Sequence, residues 1–553
     1  VSERIGLASV GVAQGLAVWL LVEGWPEAPV AAAVCVGLLS FVAVSAAVLH
    51  FAWTGDRTAR LAALAAGVGL VYGLVATWVG LGLPQAEAAS HAGQDRVFTW
   101  ILASVVTLYV LGPFLQIYQR TGRLSFPYDD LFLHSWNNFF VALVGALFTG
   151  ALWTVLLLWA ALFKLIGVEI FDDLFTKPVF VYSVTGAAVG FGLALGRESE
   201  RVVATLRGIT LKVFAGLLPL VCFVALLFLA TLPLTGLDRL WGTDHASALL
   251  LGWVAVSVLF FNAVYQEGHR AEPLPPLALR LVEAGLLALL GFLAISAWGL
   301  WQRVAQYGLT PSRMWAGLLW LVLAAYALGY AVAVLRRGSP WLPLGRPVNR
   351  AVAWLVVGLG LLAHTPLLDP LGWSARSQYE RLRDGRVAAG DFDYGYLRFQ
   401  LGRAGTDRFE ELALLESHPE IETIRAGVAE ARSVSGYWEW EQRHRPGADL
   451  AGLEVLAPGT AAPEGLLEAI RRNPDLRGQK CTAEVTCTLF LAEISDGPPD
   501  EWILIVGPAR WARLYVFGED ESGDFHYRGS LATSGNPAPG LDLPSAIRAD
   551  GVR

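Results

Sequence analysis

An α-helical polytopic membrane protein with about eleven transmembrane helices, followed by a small extracytoplasmic α+β domain, is the fold class this sequence predicts. Three observations predict it. Long apolar stretches fill the first two thirds of the chain. Basic residues concentrate in alternate loops between those stretches. An acidic tail (residues 369–553) then replaces the apolar pattern with short helical and strand-like segments.

The composition agrees. Only 16% of the residues are charged and 55% are hydrophobic, against about 25% charged in an ordinary globular protein. The charge is also uneven. Through Thr365 there are 21 Lys and Arg against 18 Asp and Glu, which leaves 20 against 30 beyond it. Such an acidic tail does not suit a polyanion, so nucleic acid is disfavoured and not expected as a partner.

A hydrocarbon core about 30 Å thick needs roughly 20 apolar residues per helix. The stretches that meet this are Ile5–Val22, Val30–Ala52, Leu61–Leu83, Val97–Tyr118, Phe139–Ile166 and Pro178–Leu195. Five more follow: Leu211–Leu232, Ser247–Tyr265, Leu281–Trp301, Trp315–Leu335 and Ala351–Leu368. Trp25, Trp53, Tyr118, Trp136, Tyr265, Trp301 and Trp315 mark several ends, where amphipathic rings sit at headgroup depth. The first stretch has no convincing small-residue cleavage site and a second span follows at once. It reads as a retained helix.

Orientation follows from the basic residues. With the N-terminus inside, the inner loops carry Arg4, Arg57, Arg60, Arg120, Arg123, Arg197, Arg201, Arg207, Lys212, Arg270, Arg280, Arg336, Arg337, Arg346 and Arg350. The outer loops carry only Arg96, Lys164, Lys177, Arg239, Arg303 and Arg313. An odd number of crossings then puts the tail outside the cytoplasm.

The domain organisation follows: a transmembrane bundle over 1–368, a helical juxtamembrane segment over 369–435, a small α+β domain over 436–533 and a flexible C-terminal tail over 534–553. Ser374–Val387, Thr406–Ser417 and Pro419–Arg432 have apolar residues at helical spacing, among them Phe409, Leu412, Ile421, Ile424 and Val428. Beyond Arg445–Gly465 the pattern turns to β. Val485–Ile494, Trp502–Val506, Arg513–Phe517 and Phe525–Leu531 are rich in β-branched and aromatic residues, and turns such as Asp496-Gly-Pro-Pro499 and Ser522-Gly-Asp524 separate them. An antiparallel sheet is expected.

Cys481 and Cys487 flank five residues in this tail. An extended strand would hold their Cα atoms about 20 Å apart, so a disulfide requires the chain to turn back between them. Two unpaired thiols on a strand are the alternative. His526 is the nearest histidine and no second cysteine pair accompanies them, so no metal site is expected. Cys35 and Cys222 fall inside apolar spans and read as small core residues.

The densest polar cluster beside the membrane runs from Phe126 to Asn138, just ahead of the fifth span. Pro127 followed by Asp129 and Asp130 suits a helix start, where carboxylates meet unsatisfied N–H groups. His134, Asn137 and Asn138 recur at helical spacing and share a face. Asp129, Asp130, His134, Asn137 and Asn138 therefore form a candidate polar site on the cytoplasmic side. The plainer reading is an interfacial helix whose polar face touches headgroups while Leu131, Phe132 and Trp136 enter lipid. A second acidic group, Glu169, Asp172 and Asp173, reads as helix capping.

No span carries a mid-helix Asp or Glu; Lys164, Glu267, Glu283 and His364 lie near span ends. Ion relays normally need such groups, so ion-coupled transport is disfavoured. Nor is there a phosphate-cradling Gly-Lys loop, a His-Glu-x-x-His helix or a Gly-x-Ser-x-Gly elbow. Glu493–Glu501 lacks the alternating carboxylates of a calcium loop. No cofactor is expected.

Pro127–Asn138, Leu147–Phe163 and Phe175–Phe180 resemble a family of bacterial polytopic inner-membrane proteins, the domain of unknown function 4153 family. Leu368-Asp-Pro370, Ser377-Gln378, Arg381-Leu382, Phe392-Asp-Tyr-Gly-Tyr-Leu-Arg-Phe399 and Gly402-Arg403 resemble it too. The resemblance covers about residues 100–415. It implies the architecture and an inner-membrane address, and no reaction, ligand or catalytic residue. The expectation is a non-enzymatic membrane protein whose external domain engages a protein partner, a larger membrane assembly or an envelope ligand. The alternatives are a transporter or channel for a small solute and a membrane enzyme acting on lipid-linked substrates.

Overall fold

The computed structural model describes residues 2–53, 58–83, 91–237, 240, 246–266, 275–336, 345–444, 447–456, 462–482, 487–492, 501–507, 513–520 and 523–532. The flexible tail expected at 534–553, the turn at 496–499 and Arg57, Arg239, Arg270 and Arg337 lie outside these residues. The chain forms two compact units, 1–430 and 431–553.

The first unit is helical. Its long helices are α1 (Ser2–Glu23), α2 (Pro29–Ala52), α3 (Thr58–Leu81), α4 (His91–Thr121) and α5 (Tyr128–Lys164). A short α6 (Ile170–Thr176) leads to α7 (Pro178–Glu198), α8 (Glu200–Thr235), α9 (Ala246–Tyr265), α10 (Pro276–Tyr307) and α11 (Pro311–Leu335). Among the described residues, ten helices, all of these except α6, are long and apolar enough to cross a membrane. Helix α12 (Gly345–Leu362) is shorter, at 18 residues, and carries Arg346 and Arg350 near its start.

The neighbours of α12 show what it does despite its length. The Trp354 ring lies 4.8 Å from Phe114 of α4, and a Cβ on Gly360 would stand 2.4 Å from the Thr107 Cγ2. Beyond the helix end, the His364 ring is 5.2 Å from Trp100, and Asp369 pairs with Arg96 at 3.3 Å. Rising residue numbers on one strand of these contacts meet falling numbers on the other. The stretch 350–369 thus runs antiparallel along α4 for most of its length, the eleventh apolar stretch lying beside the fourth.

Small residues set the closest helix pairing. Gly11 and Gly15 stand one turn apart on α1, and Gly186 and Gly190 do the same on α7. A Cβ at Gly11 would fall 1.9 Å from the Gly186 carbonyl oxygen, and one at Gly190 would fall 2.2 Å from that of Leu7. In lipid, where apolar burial supplies no drive, such backbone contact is what holds helices together. The opposite face of α7 uses Gly192 and Gly196 against α5 in the same way. Helices α8 to α11 instead share a bulky core of Leu218, Phe261, Leu286, Phe292 and Tyr330. Cys222 is buried within it and Cys35 is half-buried; both are free thiols.

The juxtamembrane segment begins with α13 (Pro370–Arg383), which Asp369 caps by accepting from the Leu371 N–H at 3.1 Å. This helix is pinned to the turn between α10 and α11. Ser377 Oγ accepts from the Leu309 N–H at 3.1 Å, Gln378 Nε2 donates to the Leu309 and Tyr307 carbonyls, and Arg381 donates to that of Gln306 at 2.7 Å. Gly308 has φ +76°, and a Cβ there would lie 2.6 Å from the Arg381 Cδ. A π-helical turn (Tyr396–Gln400), α14 (Gly402–Ala413) and α15 (Ile421–Ser433) follow. Tyr394 packs against Gly427 of α15, where a Cβ would meet its ring at 2.3 Å.

The second unit contains α16 (Tyr437–His444), β1 (Leu453–Val455), α17 (Glu464–Arg472), β2 (Cys487–Ala492), β3 (Glu501–Val506), β4 (Arg513–Glu519) and β5 (Phe525–Ala532). The five strands lie in sequence order, β2 to β5 antiparallel. The four strands expected from the sequence pair antiparallel as expected, and one unexpected strand, β1, joins β2 in parallel, so the sheet is mixed. Only three residues pair there, too few for alternation to show in a Gly- and Pro-punctuated stretch. Leu466 and Ile470 of α17 pack with Leu489, Trp502, Leu504 and Phe517. Cys481 and Cys487 are bridged, with Cα atoms 5.4 Å apart, so the chain does turn back between them.

Candidate functional site

Helix α5 is 37 residues long, about 55 Å at 1.5 Å per residue, well beyond one hydrocarbon thickness. Its first three turns can therefore carry polar groups while the rest stays in lipid. Those turns border a cavity of about 610 Å³ at one end of the bundle, lined from α1, α2, α4, α5, α7 and α8.

Structure divides the candidate cluster. His134, Asn137 and Asn138 line the cavity, and Asp129 and Asp130 do not. Asp129 pairs with Arg346 of α12 at 3.1 Å, and Asp130 is exposed. Rotation turns Asp129 off the face of His134, Asn137 and Asn138, whereas Asp130, four and seven residues before His134 and Asn137, shares that face but stands a turn nearer the helix start, outside the cavity.

Residues beyond the cluster complete the wall. Asn138 and Gln116 exchange two amide hydrogen bonds of 2.9 and 3.0 Å, and Gln116 Nε2 also donates to the Phe51 carbonyl at 2.9 Å. This pair ties α4, α5 and α2 together with its polar atoms satisfied, as burial demands. Arg207 donates to Asn137 Oδ1. Arg197 donates to the His50 carbonyl at 2.9 Å and to that of Trp53, and pairs with Glu3 at 3.2 Å. Arg4 grips Glu198 with two guanidinium nitrogens. Arg120 and Glu200 stand exposed at the rim.

Sequence reading counted Arg120, Arg197 and Arg207 as loop charges that set orientation. They instead sit on helices that continue past the apolar stretch, and Gln116 was passed over as a single polar residue in a span. Its one visible signal was a buried-type amide four residues before Arg120.

The arrangement can bind. Three guanidinium groups and a histidine line the cavity beside three carboxylates, Glu3, Glu198 and Glu200; guanidinium forks are matched to phosphate and carboxylate. The described lining contains no serine or cysteine nucleophile beside the histidine. Among the described residues no group of three or more His, Cys, Asp or Glu is placed to hold a metal ion.

A second cavity of about 450 Å³ lies between α4, α5, α8, α9, α11 and α12. Its floor is a network in which Asn349 donates to the Tyr128 hydroxyl at 2.6 Å and to Asn262 Oδ1 at 2.7 Å. Tyr330 donates within it to Asn349 Oδ1 at 2.6 Å.

Ten helices among the described residues, long and apolar enough to cross a membrane and packed through glycine contacts or a bulky apolar core, define an integral, multi-pass membrane protein. The chain belongs to the family described as Domain of unknown function (DUF4153), whose profile matches residues 129–412. The match begins at the candidate cluster and ends in α14. No curated protein and no solved structure matches the chain.

Proposed function

We propose that this is a non-enzymatic binding and signalling protein of a bacterial inner membrane, holding an anionic ligand in its Arg-lined vestibule. The vestibule carries the reading: Arg197 is oriented by two backbone carbonyls and Arg207 by Asn137, around space of about 610 Å³. The vestibule end, with the N-terminus, faces the cytoplasm. Arg4, Arg60, Arg120, Arg123, Arg197, Arg201 and Arg207 at helix ends support that side. The sheet domain lies outside the cytoplasm and engages a protein partner or envelope ligand. The Cys481–Cys487 bridge supports an oxidising space, the antiparallel run of α12 along α4 supports an odd number of crossings, and Trp438, 69% exposed, is an available aromatic anchor.

Two measurements test this. Cysteines placed at Ser2 and Ser435 should react with an impermeant thiol reagent from opposite membrane faces; the same face for both sinks the disposition. Asn137→Ala should weaken retention of labelled inorganic phosphate while Asp130→Ala leaves it unchanged, both inserting normally. Equal effects would remove the vestibule from the reading.

A second reading, passage of a small solute, is favoured by the 450 Å³ cavity lined by Tyr128, Asn262, Tyr326 and Asn349. Its test is solute flux into liposomes holding the purified chain, with Asn262→Leu as the blocked control.

A further inference from the structure

We infer that the second cavity is a binding site for a neutral lipid whose ring carries carbonyl oxygens, the class to which alkyl benzoquinones belong. The inference stands on residues other than those of the vestibule and requires no passage across the membrane. The cavity, about 450 Å³, falls within the range of about 300–1,000 Å³ in which drug-sized molecules are held. It follows α5 from Tyr128 to Phe139, roughly 16 Å at 1.5 Å per residue. Phe132, Trp136, Phe214 and Tyr326 supply flat apolar faces along it, which suit a planar ring. The lining residues Tyr109, Phe139 and Leu259 are 44%, 49% and 48% exposed, so the wall reaches the lipid-facing surface of the bundle.

The polar floor has donors to spare. Asn262 Oδ1 already accepts from Asn349 at 2.7 Å and from Tyr330 at 3.0 Å, and the Tyr128 hydroxyl accepts from Asn349 at 2.6 Å. Both Asn349 donors are thereby used. The Asn262 amide N–H groups, the Tyr128 O–H proton and the Tyr326 hydroxyl make no hydrogen bond among the described residues. Neither the Asn262 nitrogen nor the Tyr326 oxygen is sealed inside the packing. Donors left over beside lipid call for an acceptor, because each unmade bond there costs free energy. A ring carbonyl offers one and carries no charge. Charge points the same way. The described wall has no Asp or Glu, and its one cationic side chain, Arg350, is exposed and donates to the Phe126 carbonyl at 3.4 Å. An ionised head would gain no buried counter-charge, and a plain hydrocarbon would leave the donors unmet. The floor also lies at helix ends: Tyr128 opens α5, Asn262 falls in the last turn of α9 and Asn349 in the first two turns of α12. A ring held there leaves its tail to run along the aromatic wall toward Tyr109 and Phe139.

The test uses the full chain in lipid nanodiscs with labelled decyl benzoquinone and reads saturable retention, the part displaced by excess unlabelled quinone. Decylbenzene, with the same tail and no carbonyl, and decyl phosphate, with the same tail and an anionic head, are the competitors. Unlabelled quinone is expected to displace the label about tenfold more strongly than either. Tyr326→Phe removes a hydroxyl that bonds to no described protein group. It should leave the melting temperature as it was and weaken retention about fivefold. Ala353→Trp, which fills the cavity from α12, should abolish saturable retention. Thr210→Trp fills it from α8 should the first variant not fold, with the size-exclusion profile as the check. Decylbenzene competing as well as the quinone would overturn the carbonyl, and decyl phosphate competing better would overturn the neutral head. Retention indifferent to Tyr326→Phe and to both plugs would remove the site from this cavity, and no saturable retention would overturn the inference outright. Phosphate retention by the vestibule is a separate measurement, and its failure leaves this result as it stands.

Discussion

Arg96 and Asp369 stand 273 positions apart in the chain and meet as an ion pair of 3.3 Å. Arg96, 8% exposed, also donates from Nε to the Val79 carbonyl at 3.1 Å, and Asp369 caps α13. One carboxylate therefore both starts the juxtamembrane helix and fastens it to the end of α4. Replacing a single member leaves the other charge buried, which costs about 3–5 kcal/mol. Asp369→Asn should lower the melting temperature of the purified chain and expose the 383–388 region to protease. Combined with Arg96→Gln it should cost less than the two changes summed. Additive losses would show that the pair does not act as a unit.

The α1–α7 contact leaves no room for a methyl group. Gly186→Leu should separate the helices and destabilise the bundle by about 3 kcal/mol or more, through overpacking against a backbone carbonyl that cannot yield. Gly216→Leu, where nothing lies within 4 Å of the new Cβ, is the matched control. Thermal inactivation followed by size exclusion reads the difference. Equal behaviour of the two variants would contradict the packing.

The amide and phenol network has a sharper test in Asn349→Leu. The substitution keeps volume and strips both donors from Tyr128 and Asn262. Each buried polar group left without a partner costs about 1–3 kcal/mol. Asn262→Leu in the same chain should cost more than it does alone, because the buried Tyr330 hydroxyl, which donates to Asn262 Oδ1 at 3.0 Å as well as to Asn349, then loses both acceptors. A double-mutant cycle without coupling would dismiss the network as incidental.

Bridging Cys481 to Cys487 closes a short loop before β2. On the chain-entropy model that is worth roughly 2.4 kcal/mol. Cys481→Ser with Cys487→Ser should weaken protection of the β2 and β3 amides in hydrogen exchange while the bundle helices exchange as before. Loss of protection in the bundle as well would mean that the two units do not unfold separately.

Low pH should act on α16. The Glu439 carboxylate accepts from the Ser435 N–H and hydroxyl at 2.9 and 3.0 Å and pairs with Arg443, and these bonds hold it below the ordinary carboxylate range. A depressed folded value means stability that is present above the unfolded value and is lost as pH falls through the folded one. Helix α16 is therefore expected to fray below the normal range of glutamate titration, seen as a loss of amide protection at Trp440. Glu439→Gln should remove that pH dependence.

Several of these features were legible in the sequence for reasons that can be named. Apolar length gave ten of the long helices because lipid contact constrains every position of a span. The apolar spacing read over Ser374–Val387 found α13 but not its start, which Asp369 and Pro370 set four residues earlier by capping its first turn. The polar face of His134, Asn137 and Asn138 followed from rotation per residue alone. Asp129 was grouped with those three by closeness in sequence, and its partner Arg346 lies more than two hundred residues away. Strand β1 was missed because three residues carry no periodicity.

By itself, the sequence determined that this is a multi-pass membrane protein with a structured acidic tail, since hydropathy and helical rotation are properties of neighbouring residues. Tertiary structure decided the rest: which glycines face which, that the short α12 follows α4, and that Arg197, Arg207 and Asn138 enclose one cavity. Those facts depend on side chains from distant segments arriving at one place. Such meetings are set by packing of the whole bundle, which no local pattern records.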